Sequence, residues 1–573
     1  MTTEILDHLV FLYGEDNGNK TYEKLDRLIV HAQKQLPGEE TAVFSAQDIV
    51  LITYGDQVQE PEKAPLQTLA EFCRVWLNGR ISTIHILPFY PYSSDDGFSV
   101  IDYKAVNPAL GSWEDVRSLG STFNLMFDAV INHISAESDW FQRFLQDDPH
   151  YRRYFTIVDP NSDLSSVFRP RALPLLTAVT TPSGPKNVWS TFSPDQIDLN
   201  YANPDVLLDI LDTLIFYVAH GARYIRLDAI GFMWKETGTS CIHLPQTHRT
   251  IQLMRSVLNK VAPHVALITE TNVPHQDNIS YFGDGTNEAQ MVYNFSLPPL
   301  TLHAFHTGSA ETLSRWAAGL TLPSDQVTFF NFLASHDGIG VTPARGILPD
   351  DEIEQMADRV TALGGLVSYK NNSDGSQSAY ELNINYLDAL GDPDAADENP
   401  KFIAKRFLAA QAIMLALRGV PGIYFHSLFG SRNWRKGVAQ TGRNRTINRQ
   451  KLDRTALETE LSQKDSLRHH VFAGYIKMLT CRRSEPAFHP TSSQEIIDVH
   501  PAIFAVWRGD ENGRSRLLCL HNVSNQTVTT TLAIQQLTTQ MTDLIDGETF
   551  AVENGRLHLT IAPYQVLWLA SRP

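Results

Sequence analysis

The sequence predicts an α/β protein built on a (β/α)8 TIM barrel, with subdomains inserted in its loops, a helical extension before it and an antiparallel β domain after it. Three observations predict this. Eight short apolar runs alternate with amphipathic helical stretches. The runs are apolar throughout rather than alternating, as strands buried on both faces are. Several stop at polar clusters able to do chemistry, and in such a barrel the active site gathers at the C-terminal strand ends.

Residues 1 to about 45 read as a helical extension, because Ile5, Leu6, Leu9 and Val10, then Leu25, Leu28 and Ile29, recur at helical spacing. The first part of the barrel, 46–133, holds predicted strands Ile49–Gly55, Ile81–Phe89 and Leu125–Asn132. Residues 134–200 are rich in Pro, Ser and Thr and are expected to form an inserted subdomain. The barrel resumes over 201–492 with strands Tyr224–Ala229, Ala266–Thr271, Val292–Leu297, Val327–Ala334 and Gly422–Phe425. Helices are predicted at Leu66–Leu77, Val206–Ala219, His248–Val261 and Phe402–Leu417, and Gly221 stands where a helix-ending glycine belongs. A second insert, 338–400, carries Gly, Asn, Asp and Ser and is expected to cover the barrel mouth, where long loops are usually functional. From 493 to 573 short alternating runs, such as Ala502–Trp507 and Arg516–His521, predict the C-terminal β domain.

Composition narrows the function. With 43% hydrophobic and 10% aromatic residues the chain can bury a large core. A net charge of −17 and the lack of any Lys/Arg tract argue against a nucleic-acid partner. Cys73, Cys241, Cys481 and Cys519 have no metal-binding spacing, and reduced, mostly buried thiols are expected. The N-terminus lacks a basic and apolar leader, and no 18-residue apolar run follows, so no membrane partner and a cytoplasmic location are expected. Neither a metal cluster nor a nucleotide or flavin fingerprint stands out, so no cofactor and no metal are expected.

The chemistry lies at the strand ends. Arg226 and Asp228 sit two residues apart, so they face one side of a strand, and a forked cation there would keep the carboxylate ionised. Taken alone they read more readily as a structural ion pair than as a catalytic one. The next run delivers Glu270, and an ionised Asp beside a partly buried Glu suits a retaining glycosidase. Ser93-Ser-Asp-Asp-Gly-Phe98 follows the second run, Asp128-Ala-Val-Ile-Asn-His133 the third, and Ser335-His-Asp337 the seventh. Any one of these is weak; together, in this order, they are specific.

The ordered set resembles the α-amylase superfamily, glycoside hydrolase family 13, over the chain beyond residue 45. The resemblance implies Asp228 as nucleophile, Glu270 as general acid and base, and Asp337 as a third catalytic carboxylate holding sugar hydroxyls. It also implies that His133 and His336 bond the sugar ring, that Arg226 orients Asp228, and that Asp95 lies beside the first-subsite sugar with Phe98 packing nearby. Leu51–Asp56, Phe168–Pro174, Gly238–Cys241 and His336–Gly340 are similar to the sucrose phosphorylase branch, as is Asn444–Arg449, which makes Arg445 a candidate clamp on Asp95 and the sugar's far hydroxyls. Phosphorolysis brings an anion to the face Glu270 serves and needs cations there. The branch suggests Arg171, with Tyr380 as a hydroxyl donor, although Arg169 and Arg171 alone read equally as a solvated loop pair. Two departures bear on the acceptor: Asn272 stands where sucrose phosphorylase has His, and Glu381 follows Tyr380 where it has Gln. With Ile268–His275, Phe332–His336 and Gly430–Asn433, these look most like the glucosylglycerate phosphorylases of this branch, whose acceptor carboxylate would need Arg171 or Arg432. The expected substrates are therefore a small glucoside and inorganic phosphate. Alternatives are a sucrose or sucrose 6-phosphate phosphorylase, a hydrolase or transglucosidase, and a non-catalytic binding protein. A homodimer is left open.

Overall fold

The computed structural model describes the chain except for residues 1, 37–42, 160, 171–172, 372–375, 396–397, 511–514, 535–537 and 572–573. Eight parallel strands close a barrel: β1 (Val50–Thr53), β2 (Thr83–Ile86), β3 (Asn124–Ala129), β4 (Ala222–Leu227), β5 (Ala266–Thr269), β6 (Met291–Tyr293), β7 (Thr328–Phe332) and β8 (Val420–Tyr424). They follow one another around it in chain order, and β8 pairs with β1. Each of the eight apolar runs supplies one strand. Nearly every strand residue is buried, which explains the runs: side chains facing inward fill the barrel and those facing outward meet helices.

The strands end sooner than the runs. Ala229 adopts a left-handed conformation (φ 48°) that stops β4 at Leu227, so Asp228 sits on the first turn beyond the strand. Strand β6 stops at Tyr293 rather than Leu297, because Leu297-Pro-Pro opens a helix that packs over the strand end.

Helices α1 (Thr2–Gln35), α2 (Pro65–Leu77), α3 (Pro204–Ala219), α4 (Pro245–Val261), α5 (Leu297–Thr307), α6 (Pro400–Ala416) and α7 (Leu467–Ser484) surround the barrel or extend from it. Helices α2, α3, α4 and α6 each open on proline, whose fixed φ and missing N–H suit a first turn. The Asn203 and Asn399 side chains accept hydrogen bonds from the backbone N–H of Asp205 and Lys401, capping α3 and α6. Gly221 follows α3 at φ 95°. Helix α1 bends at Gly14 (φ 76°) and packs on α3 and α4, where Tyr13 donates to the Tyr201 carbonyl and Lys24 pairs with Asp205.

Between β3 and β4 lies a small sheet of Ile157–Val158, Gly184–Trp189 and Leu176–Thr181. Between β7 and β8 a hairpin, Leu366–Asn371 with Gln377–Asn383, adds the short strand Ile339–Gly340. After α7 comes an eight-stranded antiparallel sheet from Ser493–Ile496 to Val566–Ala570. Two buried arginines mark its junction with the barrel. Arg482 donates to the carbonyls of Leu415, Gly419, Phe488 and Ala46, and Arg508 to those of Ala416, Ser493 and His489.

Candidate active site

Register builds the centre of the site. Arg226 on β4 lies beside Asp128 on β3, so the two side chains share a face, and the guanidinium pairs with Asp128. The same Nη1 lies 2.8 Å from Asp228 Oδ1, and Nη2 lies 3.8 Å from Glu270 Oε2. On its far side Asp128 meets His85 Nε2 at 2.6 Å. The guanidinium carbon stands 5.7 Å from the Phe98 ring centroid and 5.4 Å from that of Tyr293. The left-handed turn at Ala229 has a purpose visible in the geometry: the Ala229 N–H donates to Glu270 Oε2 at 3.1 Å.

Asp337 is held from the opposite wall. Arg445 Nη1 approaches its Oδ1 at 2.6 Å, while Arg445 Nη2 and Nε grip both oxygens of Glu381 at 2.6 and 3.0 Å. Arg449 donates to the His336 carbonyl at 2.7 Å and pairs with Asp96. Gly338 and Gly340 permit this closeness: a Cβ on Gly338 would meet Glu381 Cγ at 2.6 Å, and one on Gly340 would meet Asn272 Nδ2 at 2.6 Å. Phe98 and His336 stack at 4.6 Å, and His133 Nε2 lies 2.9 Å from the Phe98 carbonyl.

Burial decides the protonation states. It holds His336 down at about 3 and also lowers His133, so both imidazoles are neutral near pH 7. It pushes the Asp228 carboxyl well above the usual range and that of Glu270 above it, with the Arg226 charge opposing both. Two neighbouring carboxyls in such a place retain a proton more readily than either would alone. Arg226 stands closer to Asp228 than to Glu270, so its charge favours ionised Asp228 over ionised Glu270. Asp337 is buried too, yet Arg445 and its neighbours overcome that and hold it well below the usual carboxylate range.

These groups open into a cavity of about 680 Å3, lined by Asp95, Phe98, His133, Asp228, Glu270, Asn272, His336, Asp337, Tyr380, Glu381 and Arg445 among others. It could take a disaccharide-sized glucoside. Residues 80–338 match the family model described as the alpha amylase catalytic domain. Over 98% of its length the chain is 49% identical to a glucosylglycerate phosphorylase of Spirochaeta thermophila, 97% of which is covered. The chain belongs to the glucosylglycerate phosphorylase family. A sucrose phosphorylase of Bifidobacterium adolescentis is 29% identical, over 81% of this chain and 90% of that one. Among solved structures, sucrose 6F-phosphate phosphorylase from Thermoanaerobacter thermosaccharolyticum aligns with a TM-score of 0.73 at 23% identity, covering 89% of this chain and 98% of that one.

In this member of the glucosylglycerate phosphorylase family the expected site residues come together with few exceptions. Arg226 stands behind the cavity rather than in it, which suits an orienting role. Arg445 does not reserve itself for Asp95: its bonds go to Asp337 and Glu381, because the hairpin that carries Glu381 presses against it. Asp95 contributes there by its charge. Arg432 is not on the cavity wall, because its guanidinium is engaged by Asp388 and the Pro393 carbonyl. Arg171 lies outside the described residues; Arg169 lines the cavity, with Nη2 donating to the Leu173 carbonyl.

Some cavity residues carry no signal in the sequence. Gln196 bonds the Phe98 carbonyl at 3.0 Å and His133 at 3.2 Å, and lies 3.3 Å from Asp95. Lys370 comes from the hairpin. A smaller adjoining cavity, about 250 Å3, is lined by Tyr54, Asp56, Asp96, Arg449 and Lys451 among others. The runs Leu51–Asp56, Ser93–Phe98 and Asn444–Arg449 each supply part of its wall. Among the described residues no group of His, Cys, Asp and Glu is arranged to hold a metal ion, and no helix is long and apolar enough to cross a membrane.

Proposed function

We propose that this protein is a retaining phosphorylase that converts glucosylglycerate and inorganic phosphate to α-glucose 1-phosphate and D-glycerate. The observation that carries the reading is the near full-length likeness to glucosylglycerate phosphorylase, joined to three carboxyl groups in one cavity with unlike electrostatic surroundings. Ionised Asp228 attacks the anomeric carbon from the face opposite the glycosidic oxygen. As that carbon–oxygen bond breaks, its electron pair takes the Glu270 proton and glycerate leaves, so a β-glucosyl ester of Asp228 remains. A phosphate oxygen then attacks the same carbon, Asp228 departs as carboxylate, and Glu270 recovers a proton from the phosphate. Two inversions give the α product.

Asp337, held ionised by Arg445, accepts hydrogen bonds from sugar hydroxyls as positive charge develops on the ring. Neutral His133 and His336 bond further hydroxyls without adding charge. Asn272 Oδ1, buried and without a protein partner among the described residues, can accept from an acceptor hydroxyl. The test is to incubate the protein with phosphate and, separately, glucosylglycerate, sucrose, sucrose 6-phosphate and glucosylglycerol, and to follow glucose 1-phosphate. Fastest release from glucosylglycerate, dependent on phosphate and giving the α anomer, is expected. Faster release from sucrose, or release of free glucose without phosphate, would overturn the reading.

A further inference from the structure

Both anions of the proposed reaction enter a cavity whose wall already carries Asp95, Asp228, Asp337 and Glu381. Most cations around it are engaged: Arg226 by Asp128 and Asp228, Arg445 by Asp337 and Glu381, Arg449 by Asp96, and Arg432, off the wall, by Asp388. Lys370 is different. It is half-buried on the cavity wall, and Arg345 and Asp350, whose charges act on it, pair with each other. Among the described residues its ammonium makes no ion pair. Burial, with the neighbouring Arg345 charge, pulls its pKa below the usual lysine value, and Asp350 opposes this.

The backbone explains how Lys370 arrives there. In the hairpin Ser368 pairs with Glu381 but Tyr369 pairs with Ala379, which leaves Tyr380 as the extra residue of a bulge. A bulge re-aims side chains and often does so beside an active site. Here it delivers Glu381, Tyr380 and Lys370 to one cavity from two strands. Arg169 lines the same cavity, but it is exposed and already donates to a carbonyl of its own loop.

We propose that Lys370 recognises the carboxylate of the acceptor and so selects an anionic acceptor over a neutral one. The inference rests on the functional reading above. In a glucosylglycerate the carboxylate carbon lies two bonds beyond the glycosidic oxygen, so it projects away from Asp228 and Glu270 into the cavity whose wall carries half-buried Lys370. Phosphate instead joins the anomeric carbon directly and must sit deeper.

The experiment runs the reaction in reverse, from α-glucose 1-phosphate, with glycerate and with glycerol as acceptors, for wild type, Lys370→Met and Lys370→Arg. Lys370→Met is expected to raise KM for glycerate about ten- to hundredfold, the range for losing a charge-assisted contact, while KM for glycerol stays within about twofold. Lys370→Arg restores most of the loss. KM for phosphate, measured with α-glucosyl fluoride as donor, stays nearly constant. The proposal is overturned if glycerate KM is unchanged in Lys370→Met, if glycerol suffers equally, or if phosphate KM rises in place of glycerate KM. A wild-type enzyme that prefers glycerol or fructose to glycerate would instead bring down the functional reading, an outcome visible before any variant is made.

Discussion

Arg226 is a single guanidinium serving three carboxyl groups, closer to Asp128 and Asp228 than to Glu270, and the roles proposed for Asp228 and Glu270 rest on that inequality. Asp228→Asn is expected to lower turnover by at least about 10³-fold with the fold intact, since a carboxamide cannot form the ester; single-turnover assays on the folded variant check this. Glu270→Gln is expected to cripple glucosylglycerate far more than α-glucosyl fluoride, whose leaving group needs no proton. Equal losses would remove Glu270 from the acid role. The pH profile follows from the same group. Glu270 must hold a proton when the glucoside binds, and its carboxyl is raised by burial. The rate on glucosylglycerate therefore falls as pH rises through that raised value, above the ordinary carboxylate range, and glucosyl fluoride shows no such fall in the first step.

At the scale of elements, the barrel was legible because its strands are buried on both faces, so that in a run such as Val327–Ala334 only Thr328 and Asn331 interrupt the apolar residues. The strand ends were legible less sharply: the apolar pattern continues past β6 into the helix that covers it, so periodicity cannot place the boundary. That Asp228, Glu270 and Asp337 share one cavity could be read because each follows a strand. The hairpin could not. Lys370 and Tyr380 gain their places from a bulge, which is a property of pairing between two strands and leaves no mark in either. The pairing of Arg445 with Glu381 was hidden for a similar reason, since Glu381 lies 64 residues away and meets it only when the hairpin folds over the mouth. Gly338 is the hinge of that arrangement. Gly338→Ala is expected to shift Glu381, loosen Arg445 from Asp337 and lower kcat/KM about tenfold or more, with a change in Tm of only a few degrees; kinetics and a thermal melt on the same sample check it.

Across the whole molecule, the barrel and the C-terminal sheet are joined by two guanidiniums that bond carbonyls rather than carboxylates. Arg482→Met leaves several buried carbonyls unbonded and is expected to cost about 3 kcal/mol, read from denaturant unfolding. Acid attacks at other points. Burial holds His336 and His426 at about 3 and His521 at about 4, against 6.5 for an exposed imidazole. Below pH 6.5 the unfolded chain takes up protons at these positions and the folded one does not, so stability falls as pH falls, by up to about 1.4 kcal/mol per unit for each. His426→Gln should flatten the drop in Tm between pH 7 and 5, after allowing for its lower starting value. Helix α1 raises a matter of timing. Its partners α3 and α4 end at residue 261, so during synthesis α1 emerges long before the surface that covers Ile5, Leu9, Leu25 and Ile29 exists. For much of translation those side chains have no native place to go, and the nascent chain must keep the apolar stripe of this helix in water, or in the care of a chaperone, until nearly half the protein has been made.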